Sequence, residues 1–206
     1  MLSCADQRKL NSNVIDDDIV NFWEAYDAIT STQDSVLQSQ LLDSLYIQPG
    51  TAGLKAFMER KGYTPERYLH AINTYPKFWA SIRKNSFRSK AFREEIEVEI
   101  TKLKAIYPDL KAAKIYFTIG ALMSPGTTMD SLVLIGAELA LADSNAVTDE
   151  LPDWLAENLR RYFDSNPIQD VVLLNVHEYV HTQQNTHGYD LLSQSLHVSP
   201  RPKGQG

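Results

Sequence analysis

Several residue types and runs are scarce in this sequence, and each scarcity excludes a class of protein. Cys4 is the single cysteine among 206 residues, which excludes an internal disulfide and a zinc site built on cysteines. No apolar run approaches the ~20 residues that a transmembrane helix needs. Positive charge is also limited, with 20 Lys and Arg against 26 Asp and Glu. The densest basic run, 81–93, is typical of a solvated helix face, so we expect no nucleic-acid partner.

The opening residues MLSC leave two interpretations of Cys4. A small residue followed by cysteine is how a bacterial lipoprotein signal ends, and the cysteine then carries a lipid. No hydrophobic signal core precedes Cys4, so the residues alone favour a free thiol near a frayed terminus. Lipidation would place the protein in the bacterial cell envelope, as a periplasmic or outer-membrane lipoprotein attached to the membrane only through Cys4. A free thiol leaves a cytoplasmic location open.

The residue pattern changes near residue 110. Before it, apolar residues recur at helical spacing in 16–30 and 34–47, and a charged helix is predicted over 87–107. Asp16, Asp17 and Asp18 suit the positive end of a helix dipole, an interpretation we prefer to a metal-binding role.

After residue 110, period-two alternation predicts strands over 113–120 and 131–142. The intervening stretch MSPGTTMD is predicted to be a loop, and we expect the two strands to be antiparallel. Helices 151–163 and 167–184 follow. The sequence therefore predicts an α+β fold, mostly helical with a small, largely antiparallel sheet.

The domain prediction follows the same change of pattern. It comprises a flexible N-terminus (1–15), a helical part (16–110), a second part with the strands and the last helix (111–197), and a disordered tail (198–206). The two central parts could equally form one continuous domain from 16 to 197.

The helix predicted over 167–184 has a marked start and an apolar stripe. Asn166 is its candidate cap, Pro167 suits the first helical position, and Gln169 completes a capping box. The stripe should pack on the sheet; it contains Val172, Leu173, Val176 and Val180.

The stretch NVHEYVHTQQ within this helix carries the candidate chemistry. His177 and His181 are four residues apart, so both imidazoles project from one face and can meet at one zinc ion. Glu178 lies about 100° round the helix, where it can reach a metal-bound water and act as general base. Asn175 and Asp170 are candidates for hydrogen-bond support of the ligands. The pattern predicts hydrolysis of peptide bonds with Zn²⁺ as cofactor.

Larger segments carry a resemblance to a known family. They are IVNFWEAYDAI, LDSLYIQPGTAGLKAFM, YPKFWASIR, IYPDLKAAKIYFTIGALMSPGTTMDSLVLIGAELA and FDSNPIQDVVLLNVHEYVHTQQ. The chain resembles an uncharacterised bacterial family of predicted zinc-dependent proteases, related to gliding-motility-type envelope lipoproteins. The resemblance implies a zincin fold with a glutamate as third ligand, and it strengthens the lipidated interpretation of Cys4. By analogy with zincins, 131–138 is the candidate edge strand for substrate, with Leu132, Leu134 and Gly136 contacting the peptide.

The third zinc ligand that the resemblance implies is missing. The family's glutamate follows a stretch like LLSQSLH, and here Val198 occupies its position. The SPRPKGQG sequence that follows has no carboxylate and is typical of a truncation or a frame change. His187 is a substitute at the spacing of H-E-x-x-H-x-x-G-x-x-H, although Gln184 stands where that pattern has glycine. Asp190 and His197 are weaker substitutes.

Two functions remain open at this point. The first is a zinc metallopeptidase acting on peptide or protein substrates, intact or impaired by C-terminal truncation. The alternative is a non-catalytic envelope scaffold or interaction protein with a zincin-like fold. The aromatic residues of 20–80 could form a binding face for a partner in the second case, but core packing is the preferred interpretation; these residues are Trp23, Tyr26, Phe57, Tyr63, Tyr68, Phe78 and Trp79.

Overall fold

Helices surround a small mixed sheet in the computed structural model, which describes residues 12–166 and 170–183. The α-helices are α1 (Asp17–Thr30), α2 (Ser35–Leu42), α3 (Ala52–Lys61), α4 (Pro65–Thr74), α5 (Pro76–Ser86), α6 (Ser89–Ile106), α7 (Ala137–Ala140), α8 (Asp153–Ser165) and α9 (Val171–His181). A π-helical segment, Asp43–Ile47, continues α2. The strands are β1 (Val14–Ile15), β2 (Lys114–Thr118), β3 (Gly126–Met129) and β4 (Leu132–Gly136). This arrangement confirms the α+β class and the predominance of helix.

The order of strands corrects the predicted sheet. Within the described residues the order is β1-β2-β4-β3, and β2 pairs with β4 in parallel, with Ile115 opposite Val133. The expectation of an antiparallel pair is wrong, because alternation shows that a strand is half-buried but carries no information about its direction. The stretch predicted to be a loop contains β3, which forms an antiparallel hairpin with β4. The second predicted strand ends at Gly136, where α7 begins.

Residues 12–15, the described end of the predicted flexible N-terminus, contain the strand β1. Val14 and Ile15 pair in parallel with β2. The Glu97 carboxylate of α6 accepts hydrogen bonds from the Ser12 hydroxyl at 2.7 Å and the Asn13 side-chain amide at 2.9 Å. Burial opposes ionisation of Glu97, but these donors and the nearby backbone N–H groups hold its pKa below the usual value. One carboxylate therefore anchors β1 (Val14–Ile15), a strand that the residue pattern did not predict.

Aromatic residues of the first half build the core. Trp23, Phe57, Tyr63, Tyr68, Phe78 and Trp79 are buried, and Tyr26 is partly buried. The Phe22 ring lies 5.2 Å from the Tyr46 ring and 5.0 Å from the Trp79 ring, centroid to centroid, as expected for edge-on and tilted aromatic packing. The preference for core packing over a binding face is confirmed.

Two of the three N-terminal aspartates link elements of the fold. Asp16 is buried, accepts a hydrogen bond from the Ser89 hydroxyl at 3.0 Å and pairs with Arg93. Asp18 accepts from the Thr51 hydroxyl at 2.6 Å, although burial raises its pKa. These two carboxylates join α1 to α6 and to the start of α3.

Helix α3 packs directly on the sheet because it has no side chain at Gly53. A Cβ atom there would lie 2.1 Å from Cγ of Tyr116 in β2, far inside the contact distance. Helix α3 therefore contacts β2 at van der Waals distance.

Candidate metal centre

The helix α9 (Val171–His181) carries His177, Glu178 and His181. It begins after Asp170, whose side chain makes no capping hydrogen bond. The side-chain amide of Asn166, the predicted cap, donates to the Tyr162 carbonyl at 2.9 Å, at the end of α8. The residues that a cap at Asn166 would bind through its side-chain oxygen, 167–169, lie outside the described residues, so the cap stays a prediction. Pro167 and Gln169 lie outside the described residues.

The buried face of α9 is rotated from the predicted stripe. Leu173 is 66% exposed and Val180 37% exposed, so these two do not pack on the sheet. The buried positions are Val171, Val172, Asn175, Glu178 and Tyr179. Val172 is buried as predicted and Val176 is partly buried, but the predicted stripe missed Tyr179, whose side chain is buried.

Hydrogen bonds from two residues hold this rotation. The Tyr179 hydroxyl accepts from the Ala113 N–H at 2.9 Å and donates to the Lys111 carbonyl at 3.2 Å. The Gln183 side chain accepts from the Lys111 N–H at 2.7 Å and donates to the same carbonyl at 3.2 Å. The i, i+4 spacing of Tyr179 and Gln183 was visible in the sequence, but their partners 66–72 positions away were not.

With α9 held in this way, both histidines lie on its outer side. Their Nε2 atoms are 2.9 Å apart, and the ring centroids are 4.5 Å apart with the planes at 83°. His177 is exposed and His181 partly exposed. Two nitrogens bound to one tetrahedral zinc ion at 2.0–2.1 Å lie about 3.3 Å apart, so the rings need to separate by only a few tenths of an ångström.

Glu178 and Asn175 are both buried, each 2% exposed, and Glu178 lies about 100° round the helix from His177. The Asn175 amide donates to the Val171 carbonyl at 2.8 Å, and its Oδ1 has no hydrogen-bond partner among the described residues. The side-chain amide of Asn175 therefore binds the backbone of its own helix rather than a histidine. Asp170 is exposed, and the seven residues to His177 correspond to about 10 Å along a helix. It is too distant to support the ligands.

The structure brings two candidate ligands together. Across residues 12–166 and 170–183, no group of three or more His, Cys, Asp or Glu residues could hold a metal ion. The other candidate ligands, His187, Asp190 and His197, lie outside these residues, as do Val198, Gln184 and Cys4. His70 is exposed on α4, where its Nδ1 lies 3.4 Å from the Thr74 hydroxyl.

The predicted substrate strand is in the wrong place. Leu132, Leu134 and Gly136 belong to β4, which pairs with β2 on one side and β3 on the other. Its backbone N–H and C=O groups are thus occupied by neighbouring strands, and an edge role for 131–138 is wrong. In the described sheet β3 is the antiparallel edge strand, and α9 contacts both β3 and β4.

Comparisons of the chain with models of protein families, with curated proteins and with solved structures found no match. Among the helices that the structure describes, none is both long enough and apolar enough to span a membrane.

Proposed function

We propose that this protein is a zinc-dependent metallopeptidase. In this proposal His177 and His181 are zinc ligands and Glu178 is the general base. The observation that carries the proposal is the 2.9 Å approach of the two Nε2 atoms on the exposed side of a helix. The resemblance to predicted zinc-dependent proteases is a second support.

The two Nε2 atoms suit a zinc ion in element type, and they converge on one point. Neutral imidazole nitrogens are preferred zinc ligands, and catalytic sites have three protein ligands and an open position. Two of the three are on the described helix, and His187 is the candidate for the third. Zinc bound there would supply a Lewis acid that polarises the peptide carbonyl and lowers the pKa of water.

Glu178 performs the proton transfers in this proposal. It takes a proton from the attacking water and delivers it to the amine that leaves when the C–N bond breaks. Its position one residue after His177 turns it about 100° from the ligand face, which keeps it from binding the metal with both histidines.

The edge strand β3 is the proposed site for the peptide backbone. An extended peptide can add to a strand edge through main-chain hydrogen bonds, with little dependence on its sequence. β3 pairs with β4 on one side in the described sheet, and α9 contacts it. β3 thus replaces 131–138 as the candidate for this role.

Glu178→Gln tests the proposal directly, because it removes the base and preserves size and both histidines. We expect one zinc ion per chain in both proteins and a loss of peptidase activity of at least 10²-fold in the variant. Undiminished hydrolysis of an unstructured protein such as casein by the variant would contradict the assignment of Glu178. A His187→Ala variant with unchanged zinc affinity would remove His187 from the ligand set.

A non-catalytic envelope scaffold is the second candidate. The observation that favours it is the absence of a third ligand beside the two histidines in the described part of the chain. It predicts protein purified without zinc even when zinc is supplied at micromolar concentration. The envelope location and a lipid on Cys4 remain part of both proposals, and mass spectrometry of membrane-extracted protein would detect the lipid.

A further inference from the structure

A fully buried carboxyl group lies away from the candidate metal centre. Glu138, in the first turn of α7, is 0% exposed. Its Oε2 accepts a hydrogen bond from the Gly120 N–H at 2.8 Å, and its Oε1 accepts from the Leu122 N–H at 3.4 Å. Glu138 therefore holds the loop 119–125, which connects β2 to the edge strand β3.

Other buried polar groups hold the beginning of the same loop. The hydroxyls of Tyr46 and Tyr68 donate to the Ile119 carbonyl at 2.5 and 3.0 Å, and the Ile119 N–H donates to Tyr46 at 3.0 Å. A Cβ atom at Gly120 would lie 2.7 Å from Oε1 of Glu138 and 2.9 Å from the Tyr63 hydroxyl. The loop backbone is thus enclosed between α7 and three tyrosines.

The loop also contains a strained residue. Leu122 has φ +62°, in the left-handed region that a leucine rarely adopts. Such a conformation persists where surrounding contacts impose it, and here the Leu122 N–H is bound to Glu138. Opening of the loop would relieve this strain, so the closed state depends on its hydrogen bonds.

Glu138 has no ion-pair partner among the described residues. The titratable groups that interact with it are Tyr46 and Tyr68, and the Tyr63 hydroxyl lies beside it at Gly120; none of these is a cation. Helix α5 also packs on α7, but its Arg83 pairs with Asp27, while Lys77 and Lys84 are exposed. Lys55 of α3 is likewise exposed. The N–H groups of Gly120 and Leu122 favour the ionised form of Glu138, but burial without a cation among the described residues disfavours that form more strongly, so the pKa is raised on balance.

We propose that Glu138 is a proton-operated latch, which holds the loop 119–125 closed when its carboxyl is protonated and releases it when the proton is lost. Burial raises the pKa of Glu138 to about 7, so the change falls near neutral pH. In an open loop the carboxyl is hydrated and regains an ordinary pKa, so rising pH favours opening. Control of peptide binding at β3 by this loop would rest on the proposed function, whereas the latch itself does not.

Hydrogen exchange of the Gly120 and Leu122 amides at pH 5 and pH 8, corrected for the intrinsic exchange rate, tests the latch. From a folded pKa of about 7 and an open-state value of about 4.5, linkage gives an opening constant on the order of 50- to 100-fold larger at pH 8. The Ile115 amide, in the middle of the sheet, should show no such change. In Glu138→Gln, which keeps an acceptor oxygen but cannot ionise, the opening constant should be the same at both pH values.

Equal opening constants at the two pH values in the wild type, or an unchanged pH dependence in Glu138→Gln, would overturn the latch. Should Glu138→Gln fail to fold, carbon NMR titration of the Glu138 carboxyl in the wild type decides. A midpoint near 7 that coincides with the pH at which wild-type exchange of Gly120 and Leu122 accelerates supports the latch, and a midpoint near 4.5 rejects it. None of these measurements uses zinc or peptidase activity, so failure of the latch is distinct from failure of the proposed function.

Discussion

The Tyr179 hydroxyl accepts a hydrogen bond from the Ala113 N–H at 2.9 Å and thereby ties the helix of the candidate metal centre to the segment that enters β2. Tyr179 directly follows Glu178 and lies on the buried side, so its anchoring sets the direction in which His177 and His181 project. The orientation of the candidate ligands is consequently decided by contacts with a segment that is distant in sequence.

Tyr179→Phe should lower stability, because it leaves the buried Ala113 N–H without its acceptor. A buried polar group left unsatisfied costs about 1–3 kcal/mol, and urea unfolding measures this difference. Tyr107→Phe is the matched control, since Tyr107 is half-exposed at the end of α6. Equal unfolding free energies for the two variants would show that the Tyr179 hydrogen bonds contribute nothing.

His181→Ala should weaken zinc binding by at least 10²-fold, because it removes one of the two nitrogens that converge. Competition with a fluorescent zinc chelator measures the affinity. His70→Ala is the control, because His70 is also helical and exposed but has no second histidine at helical spacing. If both variants bound zinc like the wild type, the pair of histidines would not be the site.

Glu97→Gln should reduce stability at neutral pH and flatten its acid dependence. The folded-state pKa of Glu97 is lowered by its donors, so its contribution to stability is present above the unfolded value of about 4.5 and is lost as pH falls through the folded value. Urea unfolding at pH 7, 5 and 3 measures this contribution. Glu95→Gln, at an exposed position on the same helix, should keep the wild-type dependence.

Gly53→Ala should destabilise the fold by about 1–3 kcal/mol, because the new Cβ overlaps the Tyr116 side chain and forces α3 away from the sheet. Gly62→Ala offers a comparison, since a Cβ there meets nothing within 4 Å and is opposed only by φ +64°. In a Tyr116→Gly background, which removes the Cβ at 2.3 Å together with the ring, Gly53→Ala should cost less than in the wild type, whereas the cost of Gly62→Ala should not change. An equal change in cost at both positions would contradict the packing argument.

Local patterns predicted helices better than sheet topology. The helices expected over 16–30 and 87–107 occur as Asp17–Thr30 and Ser89–Ile106, because their apolar spacing and their turn residues act over a few positions. β3 escaped prediction because it is short and its hairpin turn uses Asp130 with φ +52°, without the glycine that marks such turns. β1 escaped because its order depends on Glu97, 83 residues from Val14.

The spacing of His177 and His181 determines that both rings can reach one point, since four residues make about one turn of any α-helix. Residue types alone likewise determined that the chain has no disulfide and that its first half is helical. The tertiary structure determined that the histidines face solvent, because hydrogen bonds from Tyr179 and Gln183 to Lys111 and Ala113 fix the rotation of the helix. The tertiary structure also determined the direction and order of the strands, because the same alternating pattern is compatible with parallel and antiparallel neighbours.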